Sequence, residues 1–424
     1  MEHGDQDGDL ENARASSVDV SKTTFGYEPN FHHKLDLSLN YQPRQIEKKM
    51  PPSPVSIIGA GFSGLVIGQC LRRRNIPAVI YEKGTADLRN NYGVTLHNST
   101  YRPLLESLEI SEEDFKRHVA IDHPDSHELV SDGQRLRVNR AALTHVLRKG
   151  LDIRWEHKLS DISANSPSRS ATFTVGDQDE TREYNLLIGA DGAHSATRSL
   201  LNLPRSVSDL KVLPYIVFNG KRRIAYSNLP PGLLDTFTNP NGITHTQGDA
   251  LLTIKADFWD PAKQVVAISY TLSRAASEND QPLLDRNIRD SESLAKHFVE
   301  EVAALGEKPE PFRQVFNPDT MNEDRLLHWL MRSSLLEPRC LEELVASKGA
   351  LLLGDAAHTQ QILSGNGANL AIKDAIEFAK HINTSGEVND VTAFLDARAQ
   401  AWIEETREAE QSLQSLHYSG KARM

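Results

Sequence analysis

The first ordered pattern along the chain is the apolar run Val55 to Ile58, followed by helix-period apolar positions from about Phe62 to Arg74 and a second apolar run Ala78 to Glu82. That succession predicts a βαβ unit. Between about 206 and 320 the period changes to two, with Leu252, Ile254, Ala256 and Phe258 alternating with Thr253, Lys255 and Asp257. This stretch predicts a half-buried antiparallel sheet. After Gly349 the strand Ala350 to Leu353 enters a glycine-rich loop and a helical pattern to about His381, and a last helix is expected from Val391 to His417. Residues 1–49 show little hydrophobic periodicity and open with Glu2, Asp5, Asp7 and Asp9, so they are expected to be a disordered extension. One reading starts the functional chain at Met50, just before Pro51-Pro52-Ser53-Pro54.

Composition narrows the class. At 424 residues the chain exceeds one ordinary domain, and its 39% hydrophobic and 25% charged residues are those of a globular protein. No apolar run approaches the roughly 18 residues of a transmembrane segment. A formal net charge of −11 disfavours nucleic acid as a partner. Two cysteines, Cys70 and Cys340, make neither a disulfide framework nor a cysteine-based zinc site, and no metal is expected. The first thirty residues lack a signal peptide's apolar stretch, which points to the cytoplasm. The ending Ala422-Arg423-Met424 loosely resembles a peroxisomal import tripeptide and supplies the alternative location.

Candidate chemistry begins at Gly59-Ala60-Gly61-Phe62-Ser63-Gly64, a G-x-G-x-x-G placed between the first strand and its helix. Gly59 allows the tight turn, Gly61 lets backbone approach a diphosphate, and Gly64 lets helix and strand pack closely. The helix N-terminus presents unpaired N–H groups and a partial positive charge. Glu82 ends the second strand 18 residues after Gly64, where a carboxylate meets an adenosine ribose, and Lys83 follows it. Two later segments repeat the device. Leu186 to Ala190 delivers Asp191-Gly192, with Ser195 and Arg198 beyond; Leu351 to Leu353 delivers Gly354, Asp355 and His358. Gly365-Asn366-Gly367-Ala368-Asn369 then opens a helix. Taken singly, these are a turn, a cap and a loop start.

In this order and spacing the segments resemble the single-component FAD-dependent aromatic hydroxylases, the flavoprotein monooxygenases that include para-hydroxybenzoate hydroxylase and fungal tailoring enzymes. The likeness spans about residues 54–385. It implies an α/β fold: a Rossmann-type FAD-binding domain (50–205 and 321–385), an interleaved, mostly antiparallel β-sheet substrate domain (206–320), and a C-terminal helix and tail (386–424). By the resemblance, Gly59, Gly61, Phe62, Ser63, Gly64, Glu82 and Lys83 hold the ADP half of FAD, and Arg140, opening the helix Ala141 to Arg148, meets the pyrophosphate. Asp191 and Gly192 serve the pyrophosphate and the incoming NADPH or NADH, Gly354 and Asp355 take the ribityl chain, and Gly365, Gly367, Ala368 and Asn369 sit against the flavin pyrimidine. The implied chemistry is NAD(P)H-driven insertion of one oxygen atom, by hydroxylation or epoxidation through a flavin C4a-hydroperoxide, into a lipophilic small molecule of secondary metabolism, with molecular oxygen as co-substrate.

The chain departs from the family pattern at Thr359, Ile362 and Asn366, where proline, proline and glutamine are usual, and at Asn219, where many members carry arginine. These departures keep an alternative open: a flavoprotein dehydrogenase, isomerase or cyclase without the ordinary oxygenase reaction. On the substrate side, Arg222, Tyr226 and His245 are the catalytic candidates, with Tyr215 beside them, because guanidinium and phenol can hold an oxyanion and imidazole can move its proton. The Lys221-Arg222-Arg223 run reads as a solvated sheet-edge patch. His97, in Gly93 to His97, reads as a possible neighbour of the flavin ring.

Overall fold

The structure, a computed structural model, describes residues 54–87, 91–164, 168–203, 209–285 and 291–418. The expected extension 1–49, the alternative start at Met50 and the ending 422–424 lie outside these residues.

The Val55–Ile58 run forms β1, buried throughout, and the βαβ unit continues through α1 (Phe62–Arg73) to β2 (Ala78–Tyr81). Close packing of α1 on β1 depends on glycine, since a Cβ at Gly64 would stand 1.9 Å from the Gly59 carbonyl oxygen. Next come β3 (Gly93–His97), α2 (Asn98–Leu108), α3 (Glu112–Val119), β4 (Arg135–Asn139), α4 (Arg140–Leu147) and β5 (Ile153–Arg154). A meander of β6 (Lys158–Ser163), β7 (Ser170–Val175) and β8 (Gln178–Glu183) precedes β9 (Leu187–Gly189) and the short α5 (Ala196–Leu200). β10 (Lys211–Val212) leads to the long antiparallel strands β11 (Tyr215–Ala225), β12 (Ile243–Gln247), β13 (Ala250–Asp260) and β14 (Val265–Ala275). Helices including Ser291–Ala304 and Phe312–Val315 follow, then β15 (Arg325–His328), β16 (Arg332–Ser333), β17 (Ala350–Leu352) and the helices Gly367–Lys380 and Val391–Tyr418.

Two sheets organise these elements. The first is parallel, in the order β17-β9-β1-β2-β5, so the strands that deliver Asp191 and Glu82 flank β1, the strand that delivers Asp355 lies one further out beside β9, and all end on the same side. The second runs β12-β13-β14-β11-β15 and is antiparallel. Because β15 pairs with β11, this sheet extends past residue 320, beyond the boundary expected from sequence. One of its faces carries Ile216, Phe218, Leu252, Ile254, Ile268 and Leu272 into a core closed by Phe298, Val302 and Phe312. The opposite face carries Val217, Asn219, Lys221, Thr253, Lys255, Ser269 and Thr271.

That second face is turned toward the parallel-sheet layer. The Gly93 N–H donates to Asp257 Oδ1 at 2.9 Å, Arg137 Nε donates to the Ala256 carbonyl at 3.0 Å, and Thr95 Oγ1 donates to the Pro240 carbonyl at 2.7 Å. The alternation of β13 breaks at a bulge between Ala256 and Phe258, which moves Phe258 out of the apolar set in which its parity placed it. Phe258 lies instead under the Arg223 guanidinium. Among the described residues, no helix is long and apolar enough to cross a membrane.

Candidate functional site

A cleft of about 650 Å³ opens at the C-terminal ends of the parallel strands, where ligands of open α/β sheets bind. Its lining includes Gly59, Gly61, Glu82, Lys83, Arg140, Asp191 and Gly192. Gly59 has φ +103°, and a Cβ there would meet the Ala190 carbonyl oxygen at 2.6 Å. Gly61 differs: its added Cβ would have one neighbour, the Ala190 oxygen at 3.7 Å, so the space before it belongs to the cleft. Glu82 braces the turn, accepting the Ala60 N–H through Oε2 at 2.8 Å and the Gly84 N–H through Oε1 at 2.8 Å. The Arg140 guanidinium lies 5.4 Å from both the Phe62 and Tyr92 ring centres. Ser63 is buried beside Gly354, whose Cβ would fall 2.3 Å from its hydroxyl.

Asp191 is occupied within the fold. Its Oδ1 accepts the Ser195 hydroxyl at 2.5 Å and its Oδ2 accepts the N–H and hydroxyl of Thr197 at 3.0 and 3.1 Å, which fixes the start of α5. It lines the cleft as a brace rather than as a free carboxylate, whereas Gly192, at φ +81°, has open space in front of it. Arg198 donates to the Ala356 carbonyl at 3.0 Å and so joins the second segment to the third.

The third segment reaches the same end of the sheet. Asp355 is largely covered, and burial raises its carboxyl above the usual carboxylate range against the opposing pull of His358 and Arg198. No described side chain donates a hydrogen bond to it. The 365–369 turn stands beside it, with a Cβ at Gly367 reaching 3.7 Å from Asp355 Oδ1, and Gly367 and Ala368 open the following helix. Gly365 takes φ +67° at the turn. Asn369 is spent on β3: its Oδ1 accepts the His97 N–H at 2.9 Å and its Nδ2 donates to the Thr95 carbonyl at 3.1 Å. Burial lowers the His97 imidazole below its ordinary value. Behind the turn, Asp374 receives His358, Arg398 Nε and Trp402 Nε1, a buried cluster that positions the loop.

The three catalytic candidates do not face this cleft. Arg222 projects to the helix-covered side of the second sheet, paired with Asp324 at 2.6 Å and lying over the Tyr270 ring. His245 is on the same side, against Phe312 and bonded to Gln247 at 3.0 Å. Tyr226 lies past the end of β11, bonded to Asp125 and packed on Trp259. The physical reason is strand parity: Arg222 is three residues from Asn219, so the two point to opposite faces.

Asn219 does face the parallel-sheet layer. It is 1% exposed, its Nδ2 donates to the Tyr270 carbonyl at 3.2 Å and to Thr271 Oγ1 at 3.1 Å, and its Oδ1 has no partner. Leu363, from the loop after Asp355, packs with Tyr215, Val217 and Trp329. Gln360, nearly buried, has neither amide atom partnered, and Asn366 Oδ1 is likewise free.

Sequence reasoning missed a charged cluster on this face. Lys221 is not an edge residue: its strand is flanked by β14 and β15 there, and its ammonium lies 4.2 Å from the Tyr92 ring centre. Arg137 and Asp257 form a 3.7 Å ion pair, both nearly buried, and Lys255 stands on the same face. The available signal was the period-two pattern itself, which put Lys255 and Asp257 on one face without showing that another layer covers it.

Comparison with known proteins bears on the same segments. A family model described as FAD binding domain matches residues 52–217. The chain is 27% identical over 397 residues to the FAD-dependent monooxygenase adaC of Aspergillus niger, covering 86% of this chain and 93% of that one. It is equally 27% identical over 397 residues to the FAD-dependent monooxygenase vrtH of Penicillium aethiopicum, covering 86% and 92%. Among solved structures, 2,6-dihydroxypyridine-3-hydroxylase from Arthrobacter nicotinovorans shares the fold at a TM-score of 0.64 and 17% identity, covering 87% of this chain and 94% of that one.

Proposed function

We propose that the chain is an FAD-dependent flavoprotein monooxygenase, like the relatives it resembles, and that it uses NAD(P)H and oxygen to insert one oxygen atom into a lipophilic, electron-rich small molecule of secondary metabolism. The observation that carries the reading is the convergence of three remote segments, those of Gly59–Gly64, Asp191 and Asp355, at one end of the parallel sheet, opposite a polar sheet face. The residues present fit FAD. A cleft lies before Gly61 and Gly192, where side chains would intrude, and a covered Asp355 without a donor awaits hydroxyl groups. Asn219 Oδ1 and the Gln360 amide, buried without partners, mark places where a bound molecule completes hydrogen bonding.

In this assignment the Gly59–Gly64 backbone and the α1 N-terminus receive the diphosphate, with Lys83 and Arg140 adding positive charge. Glu82 holds the turn and reaches the ribose, and Asp355 accepts from the ribityl hydroxyls. FAD held there would supply the redox chemistry, electron transfer from NAD(P)H and activation of oxygen. At one end of the second sheet's inner face Val217, with Leu363 and Trp329, forms an apolar patch that would exclude water from the substrate's body.

A second reading, a flavoprotein that rearranges or dehydrogenates its substrate without inserting oxygen, is favoured by one observation: Asn219 puts a neutral amide where many relatives of this type have a cation. The test is oxygen and NAD(P)H consumption by the FAD-loaded chain across a panel of polycyclic phenols and polyketide-type aromatics. Substrate-dependent consumption with one oxygen atom in the product is expected. Product formed equally well without oxygen contradicts the first reading and supports the second.

A further inference from the structure

We propose that Lys255 is an anion-recognising residue of the substrate site, receiving an ionised acidic oxygen of the substrate, whether phenolate, enolate or carboxylate. This rests on the oxygenase reading and narrows its substrates to acids.

Lys255 stands in a cross-strand row. It pairs with Ser269 on β14, which pairs with Lys221 on β11, which pairs with Arg325 on β15. Residues directly paired across strands share a face, so three cations lie along one line of the face turned to the cofactor layer. The carboxylate beside them is already engaged. Asp257 Oδ1 accepts the Gly93 N–H at 2.9 Å and meets Arg137 at 3.7 Å, and its Oδ2 accepts the Ser269 hydroxyl at 2.5 Å. Lys221 lies over Tyr92, whose other neighbour is Arg140. Arg137 is spent on the Ala256 carbonyl and on Thr95 Oγ1. Arg325, at the end of the row, is exposed to solvent; of the three cations away from the surface, Arg137, Lys221 and Lys255, Lys255 has neither a hydrogen-bond nor an ion-pair partner among the described residues, nor an aromatic ring beneath it.

A half-buried ammonium whose nearest carboxylate, Asp257, is already engaged lacks a bonded counterion, and a ligand anion would supply it. Burial, reinforced by Arg137 and resisted by Asp257, brings Lys255 down to about 8. The neighbouring rows show what kind of anion fits. Next to the basic row comes Thr253–Thr271–Asn219, able to hydrogen-bond, and then Leu251–Ser273–Val217, with Trp329 packed close by. The face thus grades from cationic through hydroxyl and amide to apolar. A flat apolar body with one acidic end matches that gradient.

The test uses the FAD-loaded full chain with 2-naphthoate and its neutral isostere 2-naphthamide, with binding read by equilibrium dialysis. At about pH 6.5 the wild type is expected to prefer the carboxylate by at least about tenfold, and at about pH 9.5 to lose most of that preference as Lys255 deprotonates. Lys255→Met removes the preference at both pH values. Lys255→Arg keeps it at both, because guanidinium stays charged. A purely structural lysine would not move this pH profile. The proposal is overturned if the wild type shows no preference, including by binding neither probe at millimolar concentration, if Lys255→Met keeps the preference, or if Lys255→Arg abolishes it. Flavin content is measured first. A chain that takes up no FAD defeats the oxygenase reading, whereas a loaded chain indifferent to the probe's charge defeats this proposal alone.

Discussion

Two glycines of one turn serve separable purposes. A Cβ at Gly64 would stand 1.9 Å from the Gly59 oxygen, and backbone cannot yield there without lifting α1 off β1. A Cβ at Gly61 would make only an ordinary contact at 3.7 Å with protein and would project into the cleft. Gly64→Ala should therefore cost about 3 kcal/mol in chemical denaturation of the FAD-free chain. Gly61→Ala should leave that stability within about 0.5 kcal/mol while weakening FAD binding by roughly tenfold or more. If both variants lose stability alike, Gly61 does not front a ligand space. Asp191 makes the complementary point: its place after an apolar strand is legible in the sequence, but its use as the brace of α5 depends on Ser195 and Thr197 folding back onto it.

Between elements, the clearest joint outside the cleft is Arg274. From β14 it reaches Asp280 at 2.7 Å and Glu301 of the helix Ser291–Ala304, tying sheet, connecting turn and helix together. Arg274 holds the Asp280 carboxyl well below the usual carboxylate range. Because the folded-state value is depressed, this joint contributes its full stability above about pH 4, the ordinary aspartate range, and loses it as pH falls further. Asp280→Ala should cost about 3 kcal/mol near neutrality and flatten the acid limb of stability, measured by urea unfolding between about pH 7 and pH 3. An unchanged acid limb would show that the pair does not couple to folding.

The strands also show where sequence reasoning reaches its limit. The alternation in β13 correctly sorted Leu252, Ile254 and Ala256 from Thr253 and Lys255, and failed at Phe258 because a bulge inserts one residue and no periodicity counts it. The face of Arg222 follows from the same parity. Its odd spacing from Asn219 already put the two on opposite faces, and only one of those faces could meet the cofactor layer. His245 was not open to the same argument, since its face follows from pairing with Leu252, a register that a single sequence does not print.

For the molecule as a whole, the parallel sheet and its cleft were legible because each strand that builds the cleft announces itself with an apolar run ending in glycine, as β1 does, in a carboxylate, as β2 does, or in both, as β9 and β17 do. The seam between the two sheets was not. Arg137, Asp257 and Lys255 are scattered charges in the sequence, and only the docking of β3 and β4 onto the second sheet makes them neighbours. The account's central claim is that distant segments form one FAD site in this chain. Its most direct test is titration of the flavin-stripped full chain with FAD, following bound flavin per chain. Saturation at one FAD per chain, weakened in Gly61→Ala, is the predicted result; a chain that remains colourless at saturating FAD would contradict the account.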